Sequence, residues 1–375
     1  MGKDPNFTGQ PIFAQLLSFL DRSAIGKITY EHQSDRYYKK FNTFNHLVTM
    51  LYAIYHKCSS LREVTTGLQA CYRRLNHLGL DYCPRRSTLS DANGKRSYEV
   101  FEHIYKHLYR RYRDVLPDSQ SRTSWFSRLY IVDSTTISLF KEILKNAGRT
   151  PCNGKRKGGI KVHALVKADE DVPCLVKMNA AASHDVPFIQ GLHLPVGSII
   201  VFDKGYVDYN QYDLWTKQEV NWVTRLKRGA QYQVIEDSQL EEEELQKGVR
   251  SDRNVVLGHQ THDNITRVEA RLIQYYDQEN DREFSFITNN KTHKASVVAQ
   301  IYRHRWQIES LFKRIKQNYP IQYFLGDNEN AIQIQIWCIL IADLILKVIQ
   351  NSIKRRWSYS NLSSMVRIHL MSYTS

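Results

Sequence analysis

The chain has 375 residues, 42% of them hydrophobic and 24% charged, a composition that excludes a disordered or fibrous chain and leaves room for two or three structural units. Fifty-two lysines and arginines against 38 aspartates and glutamates give a net charge of +14, which favours a polyanionic partner, nucleic acid before an anionic membrane. The six cysteines lack C-x2-C spacing and follow no signal peptide, so a secreted disulfide scaffold and a cysteine zinc site are excluded and a reduced cytoplasm is the expected setting.

From Phe13 to about Tyr112 the pattern is helical and basic. Thr43 is placed to cap a helix with Phe44, Leu47, Val48, Leu51 and Tyr55 on its inner face, and Ser60-x-x-Glu63 forms a capping box for the next. Arg73, Arg74, Arg85, Arg86, Lys95 and Arg96 then cluster at a helix junction, where cations suit phosphate contact. With its own apolar faces and basic cluster, a helical DNA-binding domain over residues 1–120 is expected to fold alone.

After Pro117 strand patterns begin. Leu129 to Val132 and Ile199 to Phe202 are short apolar runs, each reading as a buried strand that delivers a carboxylate at its end: Asp133 and Asp203. Between them Gly159 to Val166 and Pro173 to Met178 form a hairpin across the turn Asp169-Glu170-Asp171. A helix near Tyr209 to Lys217 and a strand from Trp222 to Leu226 follow. Three strands, then two alternating with helices, is the order of an RNase H-like sheet, so the expected fold class is α/β (α+β) with a mixed sheet.

More than eighty residues separate Leu226 from Glu309, too many for a simple connection. Asn254 to Leu257, Arg267 to Tyr275 and Phe284 to Thr288 read as strands, giving a β-rich insertion at about 229–290 within a unit spanning 121–320. The acidic run Glu241 to Glu244 reads as a solvated turn. Next comes YRHRWQIESLFKRIK, Tyr302 to Lys316, where at about 100° per residue Tyr302, Arg305, Glu309 and Lys316 share a sector of roughly 60° on one helix. Ile301, Ile308, Ile315, Leu311 and Phe312 supply its apolar side. Ile332 to Ile349 is interrupted by Gln333, Gln335, Asp343 and Lys347 and reads as a buried core helix rather than a membrane span, within a C-terminal helical region over 321–375.

Asp133, Asp203 and Glu309, the last inside Y-x2-R-x3-E-x6-K filled by Tyr302, Arg305, Glu309 and Lys316, resemble the DDE transposases of bacterial insertion sequences in the group named for its YREK signature. SLRE at Ser60 to Glu63 and RSTLSDAN at Arg86 to Asn93 resemble the helical N-terminal domain of relatives in that group. The resemblance implies binding of element ends, DNA cleavage and strand transfer on double-stranded DNA, by a homodimer without membrane association, in a bacterial cytoplasm at the nucleoid. In-line displacement at phosphorus needs one cation for the attacking oxygen and one for the leaving oxygen, and hard divalent cations prefer oxygen ligands. The expected cofactors are therefore two Mg2+ or Mn2+ ions, with Asp133 shared and Asp203 and Glu309 each completing one site. Arg305 and Lys316 are expected to hold phosphates and Tyr302 to donate its hydroxyl to a phosphate oxygen. Lys161 and His163, with His184 and Asp185, resemble positions beside the metal site. Where some members stack a flipped base on Trp during a hairpin step, this chain has Phe284. An RNase H-like nuclease that cuts without joining, or a catalytically inactive DNA-binding derivative, are the alternative readings.

Overall fold

The computed structural model describes residues 9–117, 123–138, 148–149, 157–181, 184–260, 265–355 and 357–373. They fall into two compact units, one drawn from 1–117, 137–160 and 312–375, the other from 118–136 and 161–311.

The first unit opens with α1 (Ile12–Leu17), α2 (Arg22–Glu31), α3 (Thr43–His56), α4 (Leu61–Ala70), α5 (Arg86–Lys95) and α6 (Glu99–Tyr112). The starts of α2, α3 and α4 carry oxygen caps, which satisfy first-turn amides that have no partner inside the helix. Asp21 accepts from Ala24 N, and Ser60 accepts from Glu63 N. The cap of α3 is Asn42, which accepts from Asn45 N at 2.8 Å, so Thr43 is the first helical residue rather than the cap.

The second unit is built on a sheet. In chain order the elements are β1 (Leu129–Ser138), β2 (Gly148–Arg149), which belongs with the first unit, β3 (Lys157–Lys167), β4 (Pro173–Ala180), then α7 (Val186–Gln190), β5 (Ile199–Phe202), α8 (Tyr209–Lys217) and β6 (Asn221–Arg225). Among the described residues the short β2 pairs with the first residues of β3. Along the sheet the order is β4-β3-β1-β5-β6, with β1, β5 and β6 parallel. This is the RNase H-like core. Parallel strands are covered on both faces, and all four residues of β5 are accordingly buried and apolar. Phe202, Tyr212, Trp215 and Trp222 pack together over one face, their rings 4.6 to 6.4 Å apart.

The chain between Leu226 and Glu309 forms β7 (Tyr232–Asp237), α9 (Glu242–Gln246), β8 (Val249–Gln260), β9 (Ile265–Asp277), β10 (Arg282–Thr288) and α10 (Ala295–Arg303). The β-rich insertion does not form a separate layer. β10 pairs antiparallel with β6, and β9, β8 and β7 continue outward, so the insertion extends the core sheet. The acidic run is also more than a solvated turn: Glu244 on α9 is buried and accepts from Ser296 N (2.8 Å) and Oγ (2.7 Å), tying down the first turn of α10.

After α11 (Trp306–Asn318), α12 (Glu329–Ser352) and α13 (Tyr359–His369) return to the helical unit. α12 is long and apolar enough to cross a membrane, but 89% of its most apolar stretch is buried here, against α3, α5, α6 and α13. The helical residues at the two ends of the chain therefore share one core. Asp343, 1% exposed in the middle of α12, meets Arg314 Nη2 at 3.0 Å and the Tyr359 hydroxyl at 2.6 Å. A buried carboxylate needs such partners to remain charged.

Candidate active site

β1 runs through Asp133 to Ser138, so Asp133 lies inside a strand rather than ending it; what stops there is the pairing with β5, whose last register is Val132 with Phe202. Asp133 and Asp203 are the next residues on these two parallel neighbours. Their side chains retain 19% and 31% exposure.

Glu309 arrives by a route the helical spacing hides. Tyr302 to Lys316 is not one helix: α10 ends at Arg303, and α11 begins at Trp306. Across the joint Arg305 N donates to Tyr302 O (3.0 Å) and Gln307 N to His304 O (3.0 Å), three-residue steps that tighten the turn. Trp125 and Phe126 pack edge-on against His304 at this joint. Tyr302 thus lies in the last turn of α10, Arg305 occupies the joint and Glu309 stands in the first turn of α11.

Two arginines hold the acids, one joining Asp133 to Glu309 and the other meeting Asp203. Arg305, buried, donates from Nη1 to Asp133 Oδ2 (3.0 Å) and from Nη2 to Glu309 Oε1 (2.7 Å). Arg225, the last residue of β6, donates from Nη2 to Asp203 Oδ1 (2.6 Å), and the Tyr302 hydroxyl reaches the same oxygen at 3.4 Å. Burial pushes the Asp133 carboxyl up to about 6, against the pull of the Ser134 amide and Arg305, with Glu309 and Asp203 adding to the rise. Burial also acts to raise Asp203, but the hydrogen bond and charge of Arg225, with Arg305, outweigh it and hold that carboxyl below its usual range. Burial pushes the Tyr302 hydroxyl up to about 12, so it remains a donor at neutral pH.

The donor set suits hard divalent cations, being carboxylate oxygen throughout. Among the described residues no three acid, His or Cys side chains are gathered as a ready ion cage. Asp133 and Glu309 instead share the Arg305 guanidinium.

The remaining expected residues lie at varying remove. Lys316 is exposed in the last turn of α11, seven residues beyond Glu309. Phe284 on β10 is half-buried and stacks on Phe286 (5.6 Å), which packs on the Tyr302 ring (4.8 Å), so an aromatic row runs from the extended sheet into the site. Lys161 on β3 forms a separate cluster, its Nζ 2.8 Å from Asp185 Oδ1, with His163 between Asp185 (3.8 Å) and the Tyr206 hydroxyl (3.2 Å). Tyr206 is hydrogen bonded in turn to Ser134, the neighbour of Asp133. Burial lowers His163 to about 4, so its ring is neutral at neutral pH. His184 is exposed. Arg225 is a site residue absent from the sequence-based expectations; the available signal was a lone cation closing the third parallel strand.

A family model described as a transposase DDE domain matches residues 124–344, a stretch holding all three carboxylates. A second model, described only as a domain of unknown function, matches residues 8–81. A putative transposase of Sinorhizobium fredii is 28% identical over 265 residues, 71% of this chain and 71% of its own. A putative transposase for an insertion sequence element of Synechocystis is 26% identical over 294 residues, 77% of this chain and 78% of its own. A solved piggyBac transposase synaptic complex with hairpin DNA overlays 99% of this chain and 82% of that one at 8% identity, with a TM-score of 0.48.

Proposed function

The chain belongs to the transposase DDE family, metal-dependent enzymes that cut DNA and transfer strands, and from that premise we propose that Asp133, Asp203 and Glu309 are the residues with which it does so at the ends of an insertion sequence. The observation that supports the assignment is the convergence of acids at the ends of the paired registers of β1 and β5 with a glutamate delivered by α11 and joined to Asp133 through one cation, Arg305.

The proposed cofactors are two Mg2+ or Mn2+ ions, with Asp133 serving both and Asp203 and Glu309 one each; bound there, they supply activation of the attacking oxygen and charge stabilisation of the leaving one. The remaining chemistry belongs to the chain. Arg225 keeps Asp203 ionised and aimed, and Tyr302 offers a proton donor beside the same oxygen. Arg305, in this arrangement, orients two acids and is a positioning residue, which refines the expectation that it chiefly grips phosphates. Lys316 retains the proposed phosphate role, and Phe284 that of a ring for a displaced base. Lys161, through Asp185 and His163, braces the hydroxyl that neighbours Ser134 and acts on the site from beside it.

We also propose that the helical residues before about 120 recognise element ends, that residues 121–320 with the insertion at about 229–290 carry the chemistry, that 321–375 complete the helical part, and that a homodimer holds two ends. A labelled element end incubated with the full chain tests the reading. Magnesium-dependent cleavage followed by joining to a target duplex is the expected result. Cleavage without joining would make it a nuclease, and binding with neither would make it an inactive derivative.

A further inference from the structure

The turn between α2 and α3 exposes an unusual run, Arg36-Tyr37-Tyr38-Lys39-Lys40. Arg36, Lys39 and Lys40 are exposed, and the Tyr37 ring is 87% exposed. Three neighbouring cations repel one another, and a bare aromatic ring forgoes its burial, so folding stability alone gives no reason for the run.

The turn is nevertheless held from beneath. Arg96, only 2% exposed, donates to Asp35 Oδ1 (3.2 Å) and to the Phe41 carbonyl (3.0 Å), and its guanidinium lies 4.5 Å from the centre of the Tyr38 ring. Asp35 also accepts from Thr43 N (2.7 Å) and Oγ1 (2.8 Å). The nearest carboxylate within the turn is thus directed inward, and both ends of the turn are tied to one buried arginine. Tyr37 itself sits at φ +72°, a left-handed conformation uncommon for a residue of its size. Arg36 lies over its ring, 5.1 Å from the centroid, and donates from Nη1 to Gln33 Oε1 (3.1 Å).

The geometry points to residues 36–40 as a DNA-contacting element, with Arg36, Lys39 and Lys40 on phosphates and the Tyr37 ring stacked on a base exposed at an opened or single-stranded end. Cations alone would serve for phosphates; the preorganised ring is what fits an unstacked base. The element falls within residues 8–81, the stretch matched by a model described as a domain of unknown function, and would give that stretch a role in DNA contact. The inference rests on the transposase reading in so far as the chain acts on DNA, and goes beyond it in naming a contact outside the acid cluster.

The test uses the full chain and two labelled random-sequence probes, a blunt duplex and the same duplex with a single-stranded tail, titrated across a salt series. The triple variant Arg36→Gln, Lys39→Gln, Lys40→Gln should bind both probes more weakly, with the slope of log affinity against log salt shallower by about 2.7, the release expected for three phosphates. Tyr37→Asn, which tolerates the left-handed backbone, should keep the parent slope but lose on the order of tenfold in affinity for the tailed probe relative to the blunt one. Tyr37→Trp should restore that preference. A triple variant with the parent slope overturns the phosphate role, and an unchanged tailed-to-blunt ratio in Tyr37→Asn overturns the stacking role. If the parent chain shows no salt-dependent binding to either probe, the DNA reading itself has failed.

Discussion

Arg305 joins Asp133 to Glu309, and its removal leaves two acids side by side with no shared cation. Breaking a buried pair costs about 3 to 5 kcal/mol. Glu309 is 42% exposed and partly screened, so Arg305→Ala is expected to cost less, about 2 kcal/mol, read as a lower denaturant midpoint for the sheet unit. An unchanged midpoint would mean the contact contributes nothing to the fold. His46 gives a pH dependence in the helical unit. Burial, with Arg96 adding to it, lowers its imidazole to about 3 from the usual 6.5. Between those values the unfolded chain binds the extra proton, so this contribution is complete above pH 6.5 and declines as pH falls toward 3, by about 1.4 kcal/mol per pH unit. His46→Gln should flatten that decline; an equally steep fall in the variant would place its origin elsewhere. The three acids were legible in the sequence because each apolar run ends on one and the helical spacing presents the third. Arg225 and Arg96 were not: Arg96 joined a cluster of apparent phosphate contacts, yet it is buried, and its partner Asp35 lies 61 residues away.

At the scale of elements, the strand order of the core was readable because β5 is wholly apolar and the hairpin of β3 and β4 alternates around a polar turn. The joint at His304 and Arg305 was not, since no Gly or Pro marks the place where the three-residue bonds break the helix. Nor could periodicity reveal that α12 would lie against α3 and α6, a pairing across more than two hundred residues. That pairing changes an expectation. Twelve of the fourteen residues of α3 are buried, so the helices before residue 118 need α12 to cover them. A fragment ending at residue 117 is expected to be unfolded or aggregated by circular dichroism and size-exclusion chromatography; a cooperative unfolding transition in that fragment would contradict this. In the full chain Asp343→Ala should remove the buried carboxylate that Arg314 and the Tyr359 hydroxyl both meet and cost the helical unit about 3 to 5 kcal/mol, checked by chemical denaturation.

For the molecule as a whole, a net charge of +14 makes counterion release a large part of DNA affinity, and binding to element ends should weaken steeply between roughly 50 and 200 mM salt. Charge alone would fit many nucleic-acid-binding proteins; what narrows the reading is an RNase H-like sheet bearing acids at adjacent strand positions and a glutamate from α11, within a chain of the transposase DDE family. Affinity and chemistry should therefore separate. The most direct measurement takes full-length Asp133→Asn, Asp203→Asn and Glu309→Gln, and follows end binding, cleavage and strand transfer on one labelled element end with magnesium present. Each variant keeps the size of the side chain and removes its charge, so end binding is expected to survive while cleavage and joining fall together by orders of magnitude. A folded Glu309→Gln protein that cuts and joins at the parent rate would contradict the three-carboxylate site.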